Sequence, residues 1–259
     1  KILAGIAVAL AVLAGVIITA NNRDSSSTDF ASTTSVVEVP DTVTPTTIGG
    51  PPKFTVEEFE GKGLRFDPCD GIVTVAINYG GLGSTRSAIA TEIVQEAIQF
   101  LSEQTGIDFV FSGATDALPS REWRKGRNGS RTITLGLLEP GESGVGMIKK
   151  GEQFGSQTQT FLGSDASGSD WHAIESFDAQ IVPSLFPDTA SLKIRIRQVL
   201  LRSIGLNYVV EPISVTTSNE LLAVHDSDGT ATFLSKSAEW GPGDILGMSA
   251  VGKQNGCIG

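Results

Sequence analysis

The stretch RQVLLRSIGLNYV, residues 197–209, decides how the rest of this 259-residue chain is interpreted. It completes a segment beginning near Thr189 in which apolar residues recur at helical spacing and form one stripe: Leu192, Ile196, Val199, Leu200 and Ile204. Four basic residues lie outside that stripe: Lys193, Arg195, Arg197 and Arg202. The pattern predicts an amphipathic helix over about 189–204 with one buried face, followed directly by Gly205.

The same helix has the spacing of a zinc-peptidase motif without its chemistry. In H-E-x-x-H-x-x-G-x-x-H, two imidazoles on one helical face and a third beyond the glycine bind the metal, and the glutamate acts as the base. With the glycine of this template placed on Gly205, the four functional positions are Gln198, Val199, Arg202 and Tyr208. We therefore expect no metal at this position and no catalytic residues.

Strands and a second long helix precede this segment. Alternating residues 72–77 predict a strand, Ser84 or Thr85 is expected to cap a helix that ends at Thr105 and Gly106, and a strand follows at 107–111. Further strands are predicted at 131–138 and near 144–149, 158–162 and 171–182, and a short final helix lies in the tail 239–257. This order indicates one α+β domain in which a helix packs on each side of, or beneath, a twisted sheet.

The start of the chain predicts a membrane anchor. Residues 2–20 are nineteen in a row without a charge, which at the rise of an α-helix spans roughly 28 Å of bilayer. Lys1 before this run favours an N-inside orientation and an extracytoplasmic remainder. Ala7, Ala11 and Gly15 recur every four residues, a stripe that lets another helix approach closely, although so alanine-rich a segment can produce it by composition alone.

Residues 21–53 form the predicted linker between the anchor and the domain. They are rich in Ser, Thr and Pro and poor in large apolar residues, so they cannot bury enough surface to offset their ordering entropy. The predicted organisation is a transmembrane helix over 1–20, an extracytoplasmic linker over 21–53 and a globular domain over 54–259.

The charge balance argues against nucleic acid as a partner. The formal net charge is -10, so a phosphate backbone would be repelled. Nine of the nineteen basic residues nevertheless lie in two clusters, five in 121–131 and four in 193–202. Such clusters form either a solvated face or a docking surface for anionic lipid or an acidic partner.

The histidine content limits any metal chemistry. The chain has two histidines, His172 and His225, so three imidazoles cannot meet in one chain. A site combining them with Asp226 or Asp228 has no support in their spacing. A serine mechanism built on Ser169, Asp170 and His172 has none either, because the three are crowded together and no G-x-S-x-G turn exists.

Several short motifs together resemble a known family. FDPC at 66–69, the TGIDFVFSGATD stretch at 105–116, the LLRSIGLNYV helix end and WGPGDILGMSAVG before a terminal GC resemble the matrixin-like, metzincin metallopeptidase domains of actinobacterial cell envelopes. The resemblance covers about residues 64–257 and implies a twisted sheet with two main helices. It places Leu221 or Leu222 near the methionine turn beneath the metal. It also implies that all three zinc ligands and the base have been replaced.

Three residues of the domain carry two further expectations. Arg202 lies on the helical face of Gln198, so its guanidinium either pairs with a carboxylate in the former cleft or is an exposed arginine. Cys69 and Cys257 are the only cysteines, and an even number outside the cytoplasm predicts a disulfide between the start and the tail of the domain.

The sequence thus predicts a non-catalytic, membrane-anchored pseudo-metallopeptidase of the cell membrane, without cofactors. We expect other membrane-protein subunits of an envelope complex as its partners, with a respiratory supercomplex as one host, and contact with the bilayer through residues 2–20. The alternative is an active envelope hydrolase that uses an unrecognised site.

Overall fold

Within the residues that the computed structural model describes, 52–119, 131–142, 154–161, 170–227 and 230–258, the chain has an α+β fold. The helices are α1 (Ser84–Thr105), α2 (Thr189–Ser203) and α3 (Pro242–Val251). The strands are β1 (Thr55–Val56), β2 (Glu58–Phe59), β3 (Lys62–Arg65), β4 (Val73–Asn78), β5 (Phe109–Ala114), β6 (Thr132–Leu137), β7 (Phe154–Phe161), β8 (Trp171–Ile181), β9 (Leu206–Asn207), β10 (Val209–Val210), β11 (Ala223–Ser227) and β12 (Thr230–Phe233). The predicted α+β class, both main helices and the short final helix are confirmed.

The predicted anchor, with Ala7, Ala11 and Gly15, lies outside the described residues, as do the linker up to residue 51 and the predicted strand at 144–149. In the part of the chain that is described, no helix is both long and apolar enough to cross a bilayer.

Seven of the described strands form the main sheet, in the order β2-β3-β8-β6-β4-β5, and β7 also pairs with β8. The five strands from β3 to β5 along this order are parallel, and β2 and β7 are antiparallel to their neighbours. Parallel neighbours need a crossover, which α1 provides between β4 and β5. Because α1 and α2 contact each other as well as strands of this sheet, both main helices lie beneath one face of it.

The buried side of α1 consists of apolar residues at helical spacing. Ile93, Ala97 and Leu101 are buried, and the helix ends at Gly106, whose left-handed conformation (φ 68°) lets its N–H bond to the Ser102 carbonyl. The predicted cap is wrong by one residue. Gly83 is the N-cap and makes no side-chain bond, and Ser84 is already helical.

Helix α2 begins as the sequence predicts, because the Asp188 side chain caps it and accepts a hydrogen bond from the Ser191 amide at 2.8 Å. All five stripe residues are buried. Gly205 then turns the chain with φ +99°, directly against strand β3: a β-carbon at this position would lie 1.8 Å from the Leu64 carbonyl oxygen. Only a glycine fits there, and the close contact fixes where the chain goes after α2.

The tail is fastened to the start of the domain. Cys69 and Cys257 form a disulfide across a sequence separation of 188, which confirms the predicted pairing. The fully buried Arg65 guanidinium donates to the carbonyls of Gly252 at 2.9 Å and Gly256 at 2.9 Å and lies over the Trp171 ring. Hydrogen bonds from the Arg65 side chain and the disulfide therefore hold the same short segment of the tail.

Candidate functional site

Helix α2 buries the first two positions of the zinc template. Gln198 is fully buried, and its Nε2 donates to the Leu221 carbonyl at 2.7 Å. Leu221 and Leu222, the two candidates for the methionine-turn position, are both buried. Val199 belongs to the apolar core. None of these side chains provides an imidazole or a carboxylate at the template's positions.

The third template position carries a charge that is paired inside the protein. Arg202 Nη1 lies 3.1 Å from Glu57 Oε2, with the arginine side chain 15% and the glutamate 30% exposed. The guanidinium also donates to Asn207 Oδ1 and lies 4.5 Å from the centre of the Tyr208 ring. The carboxylate that pairs with Arg202 thus comes from the segment just before β2.

The fourth template position, Tyr208, lies against the third, Arg202. Because Gly205 reverses the chain after α2, the Tyr208 ring lies over Arg202, and it also meets the Phe233 ring in a T-shaped contact at 5.5 Å. Burial raises the pKa of the Tyr208 phenol, so the phenol stays neutral at neutral pH. The template positions 202 and 208 are brought together, as the spacing predicts, but they form an arginine–tyrosine stack instead of a metal site.

Two of the four basic residues on α2, Arg195 and Arg197, do not lie on the solvated face or docking surface predicted from the sequence. Arg195 is only 5% exposed, and its guanidinium lies between the rings of Phe186 at 4.9 Å and Phe233 at 4.3 Å. Burial lowers the pKa of Arg195 to about 10, which leaves it charged at neutral pH. The aromatic faces stabilise the buried cation through their quadrupoles.

Arg197, on the same helix, is buried against a different aromatic side chain. Its guanidinium lies 4.6 Å from the Trp240 ring centre and 2.8 Å from Glu96 Oε1, and it also donates to the Ala238 carbonyl. The prediction fails for Arg195 and Arg197 because aromatic side chains from other segments cover both flanks of the apolar stripe of α2. Of the other cluster, only Arg131 lies among the described residues, and it donates to the Gly71 and Asp67 carbonyls.

The two histidines are placed on separate sheets. His172 lies on β8, with its ring 5.7 Å from that of Phe59, and His225 lies on β11, with Nδ1 3.1 Å from the Glu211 carbonyl oxygen. The side chains of Asp226 and Asp228 are outside the described residues. Neither histidine has a described carboxylate or second imidazole arranged with it as a metal-binding set.

Among the described side chains, one group has its donor atoms close enough to hold a metal ion: Asp67, Cys69 and Cys257. Both sulfur atoms belong to the disulfide, so neither is a thiolate ligand. This donor set does not fit a zinc ion in the oxidised protein.

A second polar cluster lies where α3 begins. Asp244 is 3% exposed, and one of its carboxylate oxygens accepts from the amides of Gly241 at 2.8 Å and Leu221 at 3.0 Å. Glu220 accepts from the Gly243 amide at 2.9 Å. Burial raises the pKa of both carboxyls, that of Asp244 to about 7, against the opposing effect of the backbone bonds. The segment that contacts Gln198 is therefore held by a buried carboxyl that titrates near neutral pH.

The Asp244 carboxyl makes a prediction about pH. Its pKa is raised on folding, so between about pH 4 and pH 7 the folded state binds the extra proton. The free energy of unfolding should therefore fall as pH rises through this window and level off above it. In Asp244→Asn, which keeps an oxygen for the two amides, the loss between about pH 5 and pH 8 should be smaller by about 2–3 kcal/mol.

Urea unfolding at the two pH values checks this prediction. Asp108→Asn, at an exposed aspartate, is the matched control and should keep the pH dependence of the unchanged protein. The assignment to Asp244 is wrong if its variant and the control respond equally to pH.

One functional neighbour escapes sequence reasoning altogether. Glu57 lies in the run VEEFEGK with no feature that marks it, and its partner Arg202 is far away along the sequence. Arg202 itself has a signal, since it occupies a ligand position of the template. Only the strand pairing of β1 with β9 reveals the carboxylate.

The fold and this region together define an α+β domain with a disulfide-linked tail, in which the template positions are occupied by buried or paired side chains. No protein-family model matches the chain, and no curated protein matches its sequence.

Proposed function

We propose that this protein is a non-catalytic, membrane-anchored domain with a metzincin-like fold that serves as an accessory subunit of a cell-envelope membrane complex. One observation carries the proposal: at the positions of the three zinc ligands stand Gln198, Arg202 and Tyr208, and each is engaged by other protein groups. The Arg202 guanidinium places a positive charge at a ligand position, and this charge repels a divalent cation. The Glu57 carboxylate of the same chain pairs with the guanidinium.

The metzincin-like part of the proposal is supported by local geometry. The template requires a glycine that brings the position three residues later back towards the helix, and Gly205 brings Tyr208 onto Arg202 in this way. It also requires a turn beneath the first ligand position, and the Leu221 carbonyl contacts Gln198. These two contacts support the proposed resemblance to a metzincin scaffold.

Restoring the motif tests the resemblance. The variant Gln198→His, Val199→Glu, Arg202→His and Tyr208→His should bind zinc at least about 100-fold more tightly than the unchanged chain, because three preplaced imidazoles suffice for a tetrahedral site with one open position. A competition titration with a coloured zinc chelator measures the affinity.

The matched control carries the first three substitutions and keeps Tyr208. With two imidazoles it should bind zinc at least tenfold more weakly than the full variant, roughly the effect of losing one ligand. A folded full variant that binds no better than this control would show that positions 198, 202 and 208 do not converge as in a metzincin.

The non-catalytic part is tested on the unchanged full chain. We expect metal analysis to find zinc well below one ion per chain, and a peptide or casein assay to show no cleavage that a chelator removes. Stoichiometric zinc with chelator-sensitive cleavage would instead establish the active hydrolase.

The proposed membrane role rests on the charge-free run 2–20 and on Lys1 before it. Purification from detergent-solubilised membranes should recover defined partner subunits in fixed ratio, which would distinguish a respiratory supercomplex from a secretion or wall-building machine. Replacing Ala7, Ala11 and Gly15 with leucine should weaken that recovery, because bulky side chains keep two helices apart. Unchanged recovery would exclude this stripe as the contact.

A further inference from the structure

The segment 52–59, called the strap here, lies on the surface of the domain. All its side chains are exposed except Val56 and Glu57, which are half-buried. It contains only the two-residue strands β1 and β2. Segments with so few buried apolar contacts open locally far more often than the core does.

The strap nevertheless occupies a groove that fits it closely. Thr55 and Val56 pair antiparallel with β9, and the Glu57 amide donates to the Gly205 carbonyl at 2.7 Å. The groove continues along α3, where a β-carbon at Gly243 would lie 2.0 Å from the Lys53 carbonyl oxygen. The walls of the groove, β9 and α3, follow the strap by a long stretch of chain, so its contacts do not depend on which copy supplies the strap.

Two ion pairs fix the direction and register of the strap. Lys53 Nζ lies 2.8 Å from Glu211 Oε2 at one end, and Glu57 Oε2 lies 3.1 Å from Arg202 Nη1 at the other. A segment that replaces the strap must therefore present a basic residue and, four positions later, a carboxylate. The strap of a second copy meets this requirement in full.

The turn after the strap favours opening. Glu60 and Gly61 join β2 to β3 as a two-residue hairpin loop in which both residues have positive φ, 50° and 77°. Glu60 is the one non-glycine residue of the described chain with a positive φ. A side chain in this region is disfavoured, and short loops under strain promote exchange of the segment they hold, since an extended hinge releases the strain.

We propose that the strap is exchanged between two copies of this chain, so that Glu57 of one copy pairs with Arg202 of the other and completes the former cleft in trans. Exchange preserves every contact of the strap and relaxes the hinge. The exchange rests on the proposed function in one respect, namely how often two copies of the chain meet. Copies anchored in one membrane meet often because their effective concentration is high.

A split pair of cysteines tests the exchange in the full chain in detergent. One copy carries Thr55→Cys and the other Asn207→Cys, positions that face each other across β1 and β9 at the usual antiparallel separation of about 5.5 Å. Neither copy can form this bond alone, and the native cysteines are already paired. Under mild oxidation the mixed copies should give a covalent heterodimer on a non-reducing gel.

The matched control replaces Thr55→Cys with Glu58→Cys, an exposed strap position that pairs with β3 instead of β9. Exchange predicts roughly tenfold or more heterodimer from the 55 and 207 pair than from the 58 and 207 pair. Equal yields would overturn the proposal, because random collision does not distinguish the two positions. Contact between transmembrane helices alone does not distinguish them either.

A hinge variant gives the second readout. Glu60→Gly adopts the positive φ without strain, so it should lower the yield of the 55 and 207 heterodimer about fivefold. An unchanged yield would overturn hinge strain as the driving force. Failure of the exchange leaves the zinc and co-purification experiments unaffected, and their failure leaves the cross-link unaffected, so the two proposals are separable.

Discussion

Replacing Cys69 and Cys257 together with serine is expected to lower the free energy of unfolding by about 3–5 kcal/mol. The disulfide closes a loop with a sequence separation of 188, and the loop-entropy model assigns such a link roughly 5 kcal/mol through its restriction of the unfolded chain. The tail it holds contains α3, whose Asp244 fixes the segment against Gln198. Denaturant unfolding of the variant and the unchanged chain measures the loss.

The control separates the covalent link from the hydrogen bonds beside it. Arg65→Gln keeps the disulfide but removes the guanidinium, so it measures the part of the Arg65 contacts: the hydrogen bonds to the tail carbonyls and the stacking on Trp171. Reducing the unchanged chain should reproduce the serine variant. A loss below about 1 kcal/mol in the double serine variant would show that Arg65 and the packing of α3 hold the tail without the covalent link.

Replacing Gly205 with alanine is expected to cost about 3–5 kcal/mol, the range of severe backbone substitutions. The added β-carbon would lie 1.8 Å from the Leu64 carbonyl oxygen, and φ +99° is strained for any side chain. The chain must then shift either β3 or the turn after α2. A shift of the turn separates Tyr208 from Arg202. The tyrosine fluorescence, which depends on the surroundings of the ring, should therefore change together with the free energy of unfolding.

Gly113→Ala is the matched control because Gly113 has nearly the same conformation, φ +97°, and nothing within 4 Å of an added β-carbon. It should show the conformational penalty alone, about 1–3 kcal/mol. The difference between the two variants then measures the steric contact with β3. Equal losses would mean that the close approach of Leu64 does not determine the turn.

The local structure of this chain is largely readable from its residues. Apolar spacing predicts both main helices, the glycines at 106 and 205 predict where they end, and the count of two cysteines predicts their pairing. These features depend on neighbours within a few positions or on composition, so a single sequence contains the information. The cap of α1 fails by one residue because Gly83, Ser84 and Thr85 all permit a helix start.

The chemistry of the arginines depends on contacts that no local pattern contains. Arg195 and Arg197 lie outside the apolar stripe of an amphipathic helix, which predicts solvated side chains. They are buried because Phe233 and Trp240, more than thirty positions later, lie against their guanidinium groups. An aromatic face can cover a guanidinium at small energetic cost, so helical periodicity does not reveal such burial.

The sequence by itself determined which residues stand at the four template positions, and hence that three imidazoles cannot meet there, because side-chain identity and helical spacing are local properties. The tertiary structure alone decided which groups these residues contact. Strand β1 lies beside β9 and brings the Glu57 carboxylate to Arg202, and α3 brings the Asp244 carboxyl beneath Leu221. Those pairings join segments far apart in the chain, and their energy arises from burial and charge that exist only once the domain has closed.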